Sequence, residues 1–116
     1  MIDFNDDLGK FVYEYKGLVF AWDDEPDEDI QDVVKMLADN YFSHLDAIID
    51  FMMPDIVKMY GDVTADDVKN HLGKPMIDYN NGQVTYVEQS FDDIHIFTFE
   101  FLDDAFEDLQ YFSIDG

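Results

Sequence analysis

Three hydrophobic rhythms follow one another along the chain. Residues 11–22, Phe-Val-Tyr-Glu-Tyr-Lys-Gly-Leu-Val-Phe-Ala-Trp, are dense in aromatic and β-branched side chains and are interrupted once, at Lys16-Gly17. That pattern predicts two strands joined by a tight turn. The cluster Asp23-Asp24-Glu25-Pro26-Asp27-Glu28-Asp29 then ends the second strand. It supplies what a helix start needs: a cap candidate, a proline near the first turn and carboxylates facing the positive end of the helix dipole. A helix is expected from near Asp27.

The rhythm then changes to a period of 3.6 residues. From Ile30 the apolar positions step by one, three or four through Val33, Val34, Leu37, Ala38, Tyr41, Phe42, Leu45, Ile48, Ile49, Met52, Met53, Ile56, Val57 and Tyr60. Pro54 falls on the polar side of this stripe and has no N–H for the carbonyl of Asp50, which predicts a kink or a break into two helices near it. Met52-Met53 reads as ordinary core at this spacing. Gly61 is the expected C-terminal stop. Thr64, Asp67, Val63 and Val68 then spell a capping box with a hydrophobic staple, so a short helix is expected to about Leu72, ended by Gly73-Lys74-Pro75.

From there the pattern has a period of two: Met76–Tyr79, an Asn80-Asn81-Gly82 turn, Gln83–Gln89, a turn at Ser90–Asp92, Asp93–Phe101, an acidic loop, and Asp108–Ile114. In Asp93–Phe101 both faces are largely apolar, which predicts a strand buried on both sides and central in its sheet. The expected fold is α+β in one domain over 1–116, with an N-terminal β-hairpin, a helical middle and a C-terminal antiparallel β-meander, the helices forming one layer on one sheet.

Composition changes this picture in one respect. The 116 residues carry 28 acids against six bases, a formal charge of −22, and most of the acids are aspartate. The abundance of aromatic and aliphatic residues rules out disorder despite that charge. The negative field repels nucleic acid and anionic lipid and accelerates encounters with basic proteins. It also exceeds the magnitude of about 2–8 that solubility asks of a small domain. No signal sequence or apolar run of membrane-spanning length is present, and the absence of cysteine excludes disulfides and thiolate metal sites, so a cytoplasmic location is expected.

Candidate chemistry is sparse. Asp3, Asn5, Asp7 and Glu14 occupy ligand positions of a calcium loop, but the sixth position is Leu8 rather than glycine and no helix can precede residue 3, so a frayed acidic terminus is the better reading. Asp92, Asp93 and His95 can form a metal or acid–base group. Strand alternation, however, would set Asp92 on the face opposite Asp93 and His95. A turn acid followed by a hydrogen-bonded sheet histidine is the plainer assignment. His44 and His71 read as surface residues. No nucleophile, phosphate-loop or dinucleotide motif occurs, and no cofactor is expected.

The order of hairpin, acidic helical middle, the Val63-Thr64-Ala65-Asp66-Asp67-Val68 helix, Lys74-Pro75-Met76-Ile77, the Asn-Gly turn and the closing strands Ile94–Phe101 and Leu109–Gly116 resembles an uncharacterised bacterial family of small acidic α+β proteins, a domain of unknown function. Families of this kind occur among candidate immunity proteins of toxin systems, and the resemblance implies a role of that type. It carries no site residues with it.

The function expected from the chain is therefore non-enzymatic: an acidic interaction protein that neutralises a basic partner. Two surfaces are candidates, Asp23, Asp24, Glu25, Asp27 and Glu28 on one side, and Asp103, Asp104, Glu107 and Asp108 on the other. A small metal-dependent or acid–base enzyme using Asp93 and His95 is the first alternative. A homodimer whose acidity serves only solubility is the second, and whether the chain is monomer or dimer is open at this stage.

Overall fold

The computed structural model describes residues 2–27, 29–92 and 94–115. In chain order the elements are β1 (Asp3–Asn5), β2 (Lys10–Tyr15), β3 (Leu18–Trp22), α1 (Ile30–Ser43), α2 (Leu45–Tyr60), α3 (Ala65–His71), β4 (Met76–Asp78), β5 (Gln83–Tyr86), β6 (Ile96–Phe101) and β7 (Leu109–Asp115). The fold is α+β, with the expected N-terminal hairpin and C-terminal meander joined in one seven-stranded sheet of order β1-β2-β3-β4-β5-β6-β7. All neighbours are antiparallel except β3 and β4, which run parallel because the whole helical segment crosses over between them. Among the described residues no helix is long and apolar enough to cross a membrane.

Local chemistry accounts for the joints. Lys16 and Gly17 both take positive φ, 51° and 79°, as a two-residue turn with the twist of its flanking strands requires. The start of α3 is a complete capping box: the Thr64 hydroxyl accepts from the Asp67 N–H at 3.1 Å, and the Asp67 carboxylate accepts from the Thr64 N–H at 2.9 Å. The α1 start lies slightly later than expected, with Asp29 as the cap residue and no side-chain cap bond.

The break in the long helical stripe falls at His44, not near Pro54. His44 leaves helical geometry at φ −109° and ψ 11°, and α2 runs through Pro54 to Tyr60. Asp50 and Pro54 are both exposed, so the carbonyl deprived of its donor lies on the solvent side and the helix persists. Breaking at His44 lets the layer follow the width of the sheet: α1 packs beside β2, and α2 reaches β7.

Two further expectations are corrected. The N-terminus is not frayed, since β1 pairs with β2 through Asp3↔Val12 and Asn5↔Lys10, and Asn5 closes the intervening turn by accepting from the Leu8 N–H at 3.0 Å. Nor is the Asp93–Phe101 segment a central strand buried on both faces. Only Ile96–Phe101 is strand, it lies next to the edge strand β7, and Phe97, Phe99 and Phe101 are buried while Ile96, Thr98 and Glu100 are not. The central strand is β4, with three strands on either side.

One cross-strand row, Tyr13, Phe20, Ile77, Val84 and Phe99, runs under the helices through five strands. Leu37, Ile48, Met52 and Ile56 cover it from above, and Phe20, Ile77, Val84 and Phe99 are wholly buried. Each such side chain contributes about 1.5–3 kcal/mol to folding. The opposite face is uncovered by helix and carries a mixed row: Val12, Ala21, Asp78, Gln83 and Glu100.

Candidate functional site

Strand direction decides where the acids go. Because β3 and β4 are parallel, and β6 returns to their direction through the antiparallel β5, the C-terminal ends of β3, β4 and β6 share one end of the sheet. The β3–α1 loop and the β6–β7 loop, which hold the two expected acidic clusters, therefore lie at the same end rather than on separate surfaces. The β1–β2 turn, with Asp6 and Asp7, joins them there. Tyr79, just past β4, connects the two: it lines a hollow under the β3–α1 loop, while burial and then the Asp104 carboxylate raise its phenol above the ordinary tyrosine range.

The lysine at this end is already committed. Lys10 forms an ion pair with Asp23 and stands 3.4 Å from the buried Asp78, and the Asp23 hydrogen bond, with Asp78 behind it, raises the ammonium pKa. Asp78 also accepts from Asn81 Nδ2 at 2.9 Å, while its other oxygen, Oδ1, is buried with no partner among the described residues. Asp23 belongs to this internal pair and its N–H donates to Asn80 Oδ1 at 3.0 Å, so it serves to close the sheet end.

Asp24, Glu25 and Asp27 do something else. With Asp29 they rim a hollow of about 360 Å³ whose walls are Trp22, Pro26, Ile30, Val33, Tyr79 and Asn80. None of these four acids forms an ion pair among the described residues. An apolar cleft with unneutralised carboxylates at its mouth is chemically suited to a long cationic side chain. Glu28, also expected here, lies outside the described residues.

The second cluster divides similarly. Asp103 is a loop-builder, its Oδ1 accepting from the Glu107 and Asp108 N–H groups at 3.1 and 2.9 Å. These bonds turn the chain so that Phe106, at φ 57°, drops its ring against Tyr41 and Phe101 in the core. Asn40 of α1 anchors the loop by donating to the Asp104 carbonyl at 3.0 Å. Glu107 stands 3.7 Å from His44 Nε2, and Glu107 and Asp108 edge a second hollow with Phe51, Phe106 and Leu109.

At the far end of the sheet the acid–base candidate takes an unexpected form. Asp93 lies outside the described residues, and it is Asp92 that meets His95, with Oδ2 2.6 Å from the ring Nδ1. The alternation argument fails because strand geometry begins only at Ile96. Asp92 also accepts from the Tyr60 hydroxyl at 2.6 Å, from Gln89 Nε2 at 3.1 Å and from the His95 N–H at 3.0 Å. These donors, Tyr60 foremost and then His95 and Gln89, hold its carboxyl well below the usual range, while burial and Asp92 together push the Tyr60 phenol up. Tyr60 stacks on Phe91 at 5.0 Å, and His71 Nδ1 meets Ser90 Oγ at 2.7 Å, so the whole arrangement fastens the β5–β6 loop to α2 and α3.

Among the described residues no group of three or more histidine and acidic side chains is placed to hold a metal ion. The four residues of the calcium-loop pattern are spread along the first hairpin, where Glu14 pairs with Lys74 at 2.6 Å. Sequence reasoning did not assign Trp22, Asp29 or Tyr79 to a site; the adjacency of Trp22 to the Asp23–Asp29 run was the one available signal. Comparisons with protein-family models, with curated proteins and with solved structures found no match to this chain.

Proposed function

We propose that the protein is a non-enzymatic interaction module that captures a basic protein partner on the acidic end of its sheet, in the manner of an immunity protein occluding a toxin. The observation that carries this reading is the convergence of the β3–α1 and β6–β7 loops with the β1–β2 turn at one end, where Lys10 is held by Asp23 and Asp78 and leaves Asp24, Glu25, Asp27 and Asp29 uncompensated. Such a concentration of like charge steers a basic partner by long-range attraction and fixes its approach. Phe106 and Trp22, buried behind the loops, keep the acidic rim in place.

The test is capture of binding proteins from cell lysate by the wild-type chain and by Asp24→Lys/Asp27→Lys and Glu107→Lys variants, at low and then raised salt. The expected result is a basic protein retained by the wild type, released as salt shortens the electrostatic range below about 10 Å, and lost or slowed in association at least severalfold by the reversals. Retention unaffected by both reversals would overturn the reading.

A further inference from the structure

We propose that the outer edge of β7, over Phe112–Asp115, is a strand-addition site for an extended segment of a protein partner in which apolar residues alternate with lysine or arginine. This stretch lies away from the acidic end of the sheet, and the proposal stands independently of the capture reading. Among the described residues no strand pairs with the outer side of β7. A free edge presents a row of main-chain donors and acceptors that another strand can take up, and exposed edges are commonly kept short or blunted with lysine or proline. β1, at the opposite edge, has three residues, whereas β7 has seven and contains neither lysine nor proline.

A bulge decides which side chains accompany that edge. Glu100 pairs with Gln110 but Thr98 pairs with Ser113, so β7 carries one extra residue between them. The extra residue turns Phe112 and Ile114 to the helix side of the sheet; without it the register would send both to the uncovered face. There, with Asp55, Lys58 and Met59 of α2, they line a hollow of about 210 Å³ between helix and edge. Phe112 and Ile114 are only half-buried and Met59 is 46% exposed, so the apolar layer beneath the helices ends in an open slot. Tyr111, in the bulge, takes φ 54° with its ring 74% exposed. A bulky side chain in this conformation is strained, as residues at ligand clamps often are, and its ring offers an aromatic anchor beside the edge.

These features define the occupant. A strand added beside β7 places alternate side chains in the hollow next to Phe112 and Ile114, and the ones between them on the uncovered face beside Ser113 and the exposed Asp115. The hollow is smaller than ligand pockets of about 300–1,000 Å³ and suits apolar side chains rather than a folded ligand. The intervening residues meet Asp115 on a chain of formal charge −22, which selects bases. A second copy of this chain fits poorly: β7 follows Asp108 and ends on Asp115, so antiparallel self-pairing sets acid against acid.

The experiment titrates ¹⁵N-labelled protein with the blocked peptide Val-Lys-Val-Lys-Val, with its isomer Lys-Lys-Val-Val-Val, and with two copies of the first, N-methylated at the lysines or at the valines. All four carry the same charge, and each methylation pattern removes main-chain donors from one edge of the peptide. Expected are saturable shifts of the Phe112–Asp115 and Met59 amides, binding about fivefold tighter for the alternating peptide than for its isomer, and loss of binding in only one of the two methylated copies. Met59→Glu should weaken binding about tenfold with little change in Tm, and Tyr111→Gly should weaken it while raising Tm, because glycine adopts positive φ without strain.

Equal binding of all four peptides, the same outcome for both methylated copies, an absence of shifts in β7, or unchanged affinity in both variants would each overturn strand addition and leave capture at the acidic end standing. Shifts in β7 that grow with protein concentration in the absence of peptide would assign the edge to a second copy and overturn the basic partner.

Discussion

The buried hydroxyl pair Tyr41–Tyr86 offers a test of the core that does not depend on any partner. Their oxygens are 2.7 Å apart, Tyr41 on α1 and Tyr86 on β5, and both side chains are buried. Changing Tyr86 to Phe removes one hydroxyl and strands the other in the interior, which costs about 2 kcal/mol. For a chain of this length that corresponds to a fall in Tm of about 8 °C. Tyr41→Phe should cost about the same, for the same reason.

The double variant Tyr41→Phe/Tyr86→Phe leaves no orphan and loses only the net worth of one hydrogen bond, about 1 kcal/mol. It should therefore be more stable than either single variant, with a coupling of about 3 kcal/mol in the cycle. Urea denaturation of the four proteins at neutral pH measures this directly. A double variant as unstable as the sum of the singles would refute the pairing. The same pair has an alkaline signature. Burial raises Tyr41 to about 12 and Tyr86 well above the ordinary phenol value, so the folded chain keeps protons that the unfolded chain begins to release near pH 10. The stability is full below that pH and declines above it, and the Phe variants should show a shallower decline.

Other expectations follow from single contacts. Asp92 is held below the ordinary carboxyl range in the fold, so its stabilising effect is complete above the unfolded pKa of about 3.9 and is lost as pH falls through the depressed folded value; Asp92→Asn should flatten the acid limb of a melt series, and an unchanged limb would count against the clamp. Gly73 has φ +74°, and a Cβ there would lie 2.7 Å from the Glu88 carbonyl oxygen, so Gly73→Ala should lower stability by about 2 kcal/mol or more and loosen the β5–β6 loop in hydrogen exchange. Lys10→Met leaves the buried Asp78 without its cation and should destabilise by about 3 kcal/mol, whereas Lys10→Met combined with Asp78→Asn should recover most of the loss.

Much of the fold was legible because local chemistry dictated it. Lys16-Gly17, Thr64 with Asp67, and the Asn80-Asn81-Gly82 turn each satisfy a backbone requirement within a few residues, and the structure uses all three as the sequence indicates. The helix break was misplaced because proline's cost depends on which way its unpaired carbonyl faces, and at Asp50 it faces solvent. The extent of β6 was misjudged because Asp92 gathers the N–H groups of Ile94 and His95 into a turn, at 3.2 and 3.0 Å, where period-two patterning alone suggested strand. The acidic clusters were each visible in sequence. That they share one end of the sheet was not, since it follows from the parallel pairing of β3 with β4, a contact between residues far apart in the chain.

That pairing also shapes how the chain must assemble. Strand order equals chain order, so β1–β3 and β4–β7 are each built from neighbouring segments and can form early, as local hairpins do on a timescale of microseconds. The strand pairing that welds the halves is Val19–Met76, Phe20–Ile77 and Ala21–Asp78, and it must wait for the three helices to close the long loop between them. The slow event in folding is thus the same event that brings the acidic loops together. Until that seam closes the acidic loops sit on two separate fragments, so the single acidic end of the sheet arises only with the last step of folding.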